Sequence, residues 1–200
     1  MGIKLDYAEG ATPLDADETE GLIPGHIATQ EQLNRWEYRN VLSGEQWAFA
    51  GGRADYLSID FMQILHRRMF GDTWRWAGKF RTTEKNIGIA PHGIAVGLKN
   101  LCDDVNAQLE SKSLEIDEIA AKFHHRLVYI HPFPNGNGRF SRTMADLLLV
   151  RNSKDRFTWG ADDLISDGEI RHVYIAALRA ADAKDYTSLL QFVRSTKEVL

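Results

Sequence analysis

The segment that most constrains this chain is a break between two apolar helices. Phe123 to Ile130 reads as the end of one helix, and Met144, Leu147, Leu148 and Leu149 mark the apolar face of the next. Between them runs His131-Pro132-Phe133-Pro134-Asn135-Gly136-Asn137-Gly138-Arg139-Phe140-Ser141-Arg142. Prolines lack the amide donor that a helix interior requires and glycines weaken helix propensity, so the chain has to leave one helix and start another within this stretch. A corner joining two helices is dictated here.

The corner also carries chemistry. Gly136 to Gly138 fall at a helix N-terminus, where the first backbone N–H groups lack intrahelical partners and the macrodipole is positive. An anion is favoured there by roughly 0.3 to 2 kcal/mol before any side chain acts. Arg139 and Arg142 lie at i and i+3 on the first turn, and two guanidinium forks suit a polyphosphate better than a single phosphate. His131, with an ordinary pKa of about 6.5, is able to accept a proton from an incoming hydroxyl near neutral pH. Seven fixed positions at set spacing arise by chance about once in 10^9 starting points at equal residue frequencies.

Helical spacing extends over most of the chain. Thr29 and Gln32 form a capping-box pattern ahead of Leu33 and Trp36, and Ser58 caps a segment with Phe61, Ile64, Leu65, Met69 and Phe70 as its apolar stripe. Further helices are expected over 94–109, 116–130, 138–151, 167–183 and 187–195. Lys79 to Thr83 and Asn86 to Ala90 alternate with β-favouring residues between glycines and predict a short hairpin. Residues 1–25 lack periodicity and read as an irregular leader, with 26–200 as the domain. The expected class is all-α with one short β-hairpin.

With 24 Lys and Arg against 28 Asp and Glu, the net charge is -4, so no overall basic field points to direct nucleic-acid binding. No stretch approaches the roughly 18 apolar residues of a membrane span, and no secretion signal is visible. Cys102 is the single cysteine and reads as a core thiol, so a cytoplasmic setting is expected. His124 and His125 point about 100° apart on a helix and make no shared metal site. His66 and His172 have too few neighbouring ligands for one and read as structural.

The stretch from His131 to Arg142 closely resembles the signature of the Fic (Fido) family, H-x-F-x-[D/E]-G-N-G-R-x-x-R. The likeness extends to Trp76-Ala77-Gly78-Lys79-Phe80-Arg81 and covers a core of about 55–150. Leu33-Asn34-x-Trp36-Glu37 and the Asn at position 135 resemble the mobile mystery protein B subgroup. The resemblance implies a helical enzyme that moves AMP from ATP to a Ser, Thr or Tyr hydroxyl of a target protein. It makes His131 the general base, Phe133 the loop anchor, Gly136, Asn137 and Gly138 the anion hole, and Arg139 and Arg142 the clamps on the β- and γ-phosphates. A flap comprising Lys85, Asn86, Ile87, Gly88 and Ile89 would hold the target segment by strand addition.

Two departures bear on activity. The family's acid, which helps bind Mg²⁺ (or Mn²⁺), is Asn135 here, a neutral oxygen that weakens a hard-cation site. The readings are a weakened AMP transferase, transfer of another phosphate-containing group as in the Doc branch, or a non-catalytic nucleotide-binding module. The family's inhibitory pattern [S/T]-x-x-x-E-[G/N] is also missing. The inhibitory glutamate then comes from a partner, as in a toxin–antitoxin pair, or from a non-standard residue such as Glu37, which otherwise reads as a solvated helix charge.

Overall fold

The computed structural model describes residues 10, 12–51, 55–161 and 168–195. In chain order the helices are α1 (Ala16–Thr19), α2 (Gln30–Phe49), α3 (Ile59–Phe70), α4 (Ile94–Ser111), α5 (Ile116–Ile130), α6 (Asn137–Arg151), α7 (Gly168–Asp182) and α8 (Thr187–Arg194). Short 3-10 turns lie at Pro91–Gly93 and Trp159–Ala161. Residues 1–9 and 11 of the leader, and the Asp167 start expected for the seventh helix, lie outside the described residues. No helix among the described residues is long and apolar enough to cross a membrane.

The expected caps form. The Thr29 hydroxyl accepts the Gln32 amide at 3.3 Å while the Gln32 side chain accepts the amides of Ala28 and Thr29, and the Ser58 hydroxyl accepts the Phe61 amide. These bonds satisfy donors that a helix start otherwise leaves orphaned. Helix α3 buries Phe61, Leu65, Met69 and Phe70, whereas Ile64, expected in the same stripe, is exposed.

The α5–α6 corner sits at the centre. Phe123, Leu127 and Ile130 of α5 pack with Phe140, Met144, Leu147 and Leu148 of α6, all essentially inaccessible. Each large side chain buried in this way stabilises the fold by roughly 1.5–3 kcal/mol, enough to hold the corner rigid. The pairs α2–α3, α4–α5 and α7–α8 pack around it. Asp146 is carried into this interior by α6, where its carboxylate accepts the Phe157 amide and the Trp159 indole N–H. Burial pushes its pKa up to about 6.

The hairpin expected between Lys79 and Ala90 does not form. Among the described residues the only strand-like pairing is an isolated bridge between Leu22 and Trp74. Arg81 explains the difference. Its buried guanidinium donates to the carbonyls of Thr83, at 2.8 Å, and of Ile89, so a side chain bridges the two arms where a backbone ladder was expected. The described part of the leader, residues 10 and 12–25, carries the short helix α1 and is tied to the domain by backbone hydrogen bonds. The Ile23 amide donates to the Thr73 carbonyl at 2.8 Å and the Arg75 amide to the Gly21 carbonyl at 2.9 Å.

Candidate active site

Helix α5 ends at His131, whose backbone turns left-handed at φ 53° while its amide still donates to the Leu127 carbonyl. Such a conformation costs an L-residue roughly 1–2 kcal/mol and requires outside support. Arg81 supplies it. Its Nε donates to the His131 carbonyl at 2.6 Å, and its own backbone amide donates to the Pro132 carbonyl at 3.0 Å. Gly88, at φ 113°, lies so close that a β-carbon there would stand 2.8 Å from His131 Cβ.

The rest of the loop is fixed from below. Phe133 is fully buried, stacked on the His66 ring at 3.7 Å and edge-on to Phe140 at 5.1 Å. His66 Nδ1 accepts the Gly78 amide, so its Nε2–H donates to the Asn135 carbonyl at 3.1 Å. Complete burial holds that imidazole neutral, with a pKa pushed down to about 3. His66 is thus structural, as expected, and it positions the loop. Asn137 spends its side chain on the loop as well, accepting the Phe133 amide at 2.9 Å and donating to the Phe133 carbonyl at 2.7 Å. Only its backbone N–H remains to serve an anion.

The His131 ring has one tautomer that satisfies its neighbours. Nδ1 lies 3.3 Å from the Val128 carbonyl, which only accepts, so Nδ1 carries the proton and Nε2 offers a lone pair. That lone pair receives the Thr12 hydroxyl at 2.9 Å. Burial lowers the His131 pKa to about 4, and the Arg81 and Lys85 charges add to the effect against the Val128 hydrogen bond. The ring is therefore a neutral acceptor across the physiological range.

Gly136 and Gly138 differ in what they are for. At Gly136 the backbone has φ 77° and a β-carbon would strike the Phe70 ring at 2.6 Å, so the fold itself requires glycine. At Gly138 a β-carbon would meet nothing nearer than Arg142 Nη1 at 3.8 Å. The fold does not need glycine there, and the space above the first turn of α6 is open to a ligand.

Arg139 donates from Nη1 to Glu37 Oε2 at 2.8 Å and lies over the Phe70 ring, while the Arg142 guanidinium lies 6.0 Å from the Tyr174 ring. Glu37 is 8% exposed and its other oxygen accepts the Trp74 indole N–H at 2.6 Å. It is therefore not a solvated helix charge. His131, Gly136, Asn137, Gly138, Arg139 and Arg142 all line one cleft of about 760 Å³, together with Glu37, Thr12, Ile87 and Gly88. That volume lies within the range of nucleotide and cofactor sites.

The expected flap residues separate. Ile87 and Gly88 line the cleft, Asn86 is exposed, and Ile89 packs on the core. Lys85 is turned the other way, its ammonium sealed between Asp15 at 2.8 Å and Glu18 at 2.6 Å. Asn135 points its Oδ1 at the Gly136 amide, 2.6 Å away, and donates from Nδ2 to the Thr12 carbonyl at 2.9 Å. No cluster of three His, Cys, Asp or Glu able to hold a metal occurs among the described residues. A protein-held Mg²⁺ or Mn²⁺ does not fit this donor set.

Two participants, Arg81 and Thr12, went unassigned at the level of sequence. Arg81 lies inside the Trp76–Arg81 likeness, but nothing in its neighbours signals a buried carbonyl clamp. Thr12 sits in an aperiodic leader 119 residues from its partner, with no local signal at all. For Glu37 the sequence offered both a regulatory and a solvated reading, and burial rules out the solvated one.

Fold and cleft together define a helical domain that presents a neutral imidazole beside a glycine- and arginine-lined anion cradle. Residues 56–149 match the Fic/DOC family. The chain is 32% identical over 151 residues to the Caenorhabditis elegans protein adenylyltransferase fic-1, covering 72% of this chain and 28% of that one. It is 31% identical over 150 residues to the Nematostella vectensis protein adenylyltransferase Fic, covering 73% and 34%. The chain thus spans about a third or less of the length of these curated relatives. The solved structure of C. elegans Fic-1 superposes with a TM-score of 0.64 at 27% identity, covering 88% of this chain and 51% of that chain. The N-terminal Fic domain of a Bartonella quintana effector reaches a TM-score of 0.70 at 15% identity, covering 88% and 91%, a likeness of fold. A second structure of such a domain from B. quintana carries bound ADP, at a TM-score of 0.66, 16% identity and coverage of 87% and 90%.

Proposed function

We propose that this domain transfers AMP from ATP to a Ser, Thr or Tyr hydroxyl of a protein. The observation that carries the reading is the neutral His131 Nε2 acceptor held in one cleft with the open N-terminus of α6 and two arginines. The acceptor hydroxyl gives its proton to Nε2 as its oxygen attacks the α-phosphorus. The bond to the bridging oxygen then breaks, and pyrophosphate leaves with the electron pair. The α6 amides and the space at Gly138 receive phosphate oxygens, and Arg139 and Arg142 stabilise charge on the departing pyrophosphate. The adenylyltransferase names of the curated relatives and the ADP bound by the B. quintana domain support the choice of donor.

Charge neutralisation falls on the arginines, because Asn135 contributes no negative charge and its oxygen already accepts the Gly136 amide. A phosphate oxygen approaching Arg139 competes with Glu37. A glutamate from an antitoxin partner would pair with Arg142, whose guanidinium lies 6.0 Å from the Tyr174 ring at the cleft. The Leu33–Glu37 segment and Asn135 support the mobile mystery protein B subgroup, and the lone buried Cys102 thiol fits a reducing, cytoplasmic setting.

Incubating the full chain with α-labelled ATP and a cell lysate tests the proposal. Protein-bound label is expected, with loss of about 10²–10⁴ in rate for His131→Ala. Label transferred from γ-labelled ATP instead refutes AMP transfer in favour of phosphorylation, and nucleotide binding without any transfer reduces the domain to a binding module.

A further inference from the structure

The leader does more than cover the domain. Thr12 is 5% exposed, and its hydroxyl is the group that donates to the His131 lone pair at 2.9 Å. The residues that follow run along the same arm from which a protein acceptor would be held. Asp15 accepts the Thr83 hydroxyl at 2.9 Å and the Lys85 ammonium at 2.8 Å, Glu18 accepts Lys85 at 2.6 Å, and the Trp76 indole donates to the Glu18 carbonyl at 3.0 Å. A segment that served only to exclude water would place an apolar side chain against the imidazole. Here the chain spends a hydroxyl on it.

Resting on the AMP-transfer reading, we propose that Thr12 is a built-in acceptor: the leader lays its hydroxyl on His131 where a substrate hydroxyl belongs, and with ATP bound the chain transfers AMP to its own Thr12. The Thr12 Oγ–H bond breaks, with the proton passing to His131 Nε2. An Oγ–Pα bond forms, the bond from the α-phosphorus to the bridging oxygen breaks, and pyrophosphate leaves. Asn135 belongs to the same device. Its Nδ2–H donates to the Thr12 carbonyl, whereas an ionised acid at this position would set a carboxylate against that carbonyl and repel it. The amide that weakens a cation site is the group that seats the acceptor.

The test uses the full chain with α-labelled ATP and Mg²⁺. The expected result is one AMP per chain, mapped by peptide mass spectrometry to Thr12, with a rate constant independent of protein concentration. Thr12→Val should abolish it, Thr12→Ser should retain it at the same position, and His131→Ala should lower it by about 10²–10⁴. Mixing Thr12→Val with His131→Ala should leave the His131→Ala chain unmodified, because the transfer is within one chain. Modification of that chain in the mixture, or AMP elsewhere with Thr12 untouched, overturns the proposal. Lysate labelling by Thr12→Val beside an unmodified wild-type Thr12 removes the built-in acceptor and spares AMP transfer. Absence of all α-label transfer removes both.

Discussion

Glu37→Gln isolates the charge that opposes nucleotide binding. Glutamine keeps the shape of the side chain and leaves a carbonyl oxygen to accept the Trp74 indole N–H, now held at 2.6 Å. What it removes is the negative charge 2.8 Å from Arg139. Unit charges about 4 Å apart interact by about 4 kcal/mol at an effective dielectric of ~20. The two side chains retain 22% and 11% of their exposure, so solvent screening and the cost of desolvation reduce the net value to about 1–2 kcal/mol. A phosphate that has to displace Glu37 meets that opposition in the wild type and not in the variant. The variant should therefore bind ATP about 5- to 30-fold more tightly. Titration calorimetry with ATP, ADP and AMP measures this, and the gain should shrink toward AMP, which lacks the phosphates that reach Arg139. Unchanged ATP affinity in a folded variant, or an equal gain for AMP, refutes the competition between Glu37 and phosphate.

Gly138→Ala should leave the fold as stable as the wild type or raise it by up to about 1 kcal/mol, since the new methyl meets only open space in a helical turn. ATP binding should fall at the same time, and a thermal melt paired with calorimetry distinguishes this from a loss of both. Arg81→Met removes donors to the carbonyls of His131, Thr83, Ile89 and Ile130 and should cost about 2–4 kcal/mol, read as a lower denaturant midpoint. Burial holds His66, His124 and His131 neutral with pKa values of about 3, 3 and 4, below the unfolded value of about 6.5. Between those limits the unfolded chain binds more protons, so stability is complete above about pH 6.5 and falls as the pH drops toward 4. Asp146, raised to about 6, acts in the opposite sense but is one group against three. Denaturant midpoints at neutral and mildly acidic pH check the sign.

What is local in origin was legible in the sequence. Helix spacing, the Thr29 and Ser58 caps and the α5–α6 corner follow from propensities and apolar periods within a few residues of each position. The failed hairpin had the right composition, but a single long-range side chain, Arg81, took the carbonyls a ladder would have used. The candidate site divides in the same way. Gly136 and the two arginines belong to one contiguous stretch, whereas Glu37 and Thr12 join it from 102 and 119 residues away. Hydrogen bonds across such separations leave no periodic trace, and burial alone distinguishes a charge that pairs from one that faces water.

The left-handed turn at His131 bears on how such a site survives. A residue at φ 53° gains backbone stability when replaced by glycine, by roughly 1 kcal/mol, and that replacement also deletes the imidazole. The same replacement removes a ring that is 5% exposed and orphans the Val128 carbonyl and the Thr12 hydroxyl, so the backbone gain is offset by about 1–3 kcal/mol for a buried group left unpaired. The turn and the imidazole are thus coupled: the strain is tolerated because the ring it presents is bonded on both nitrogens.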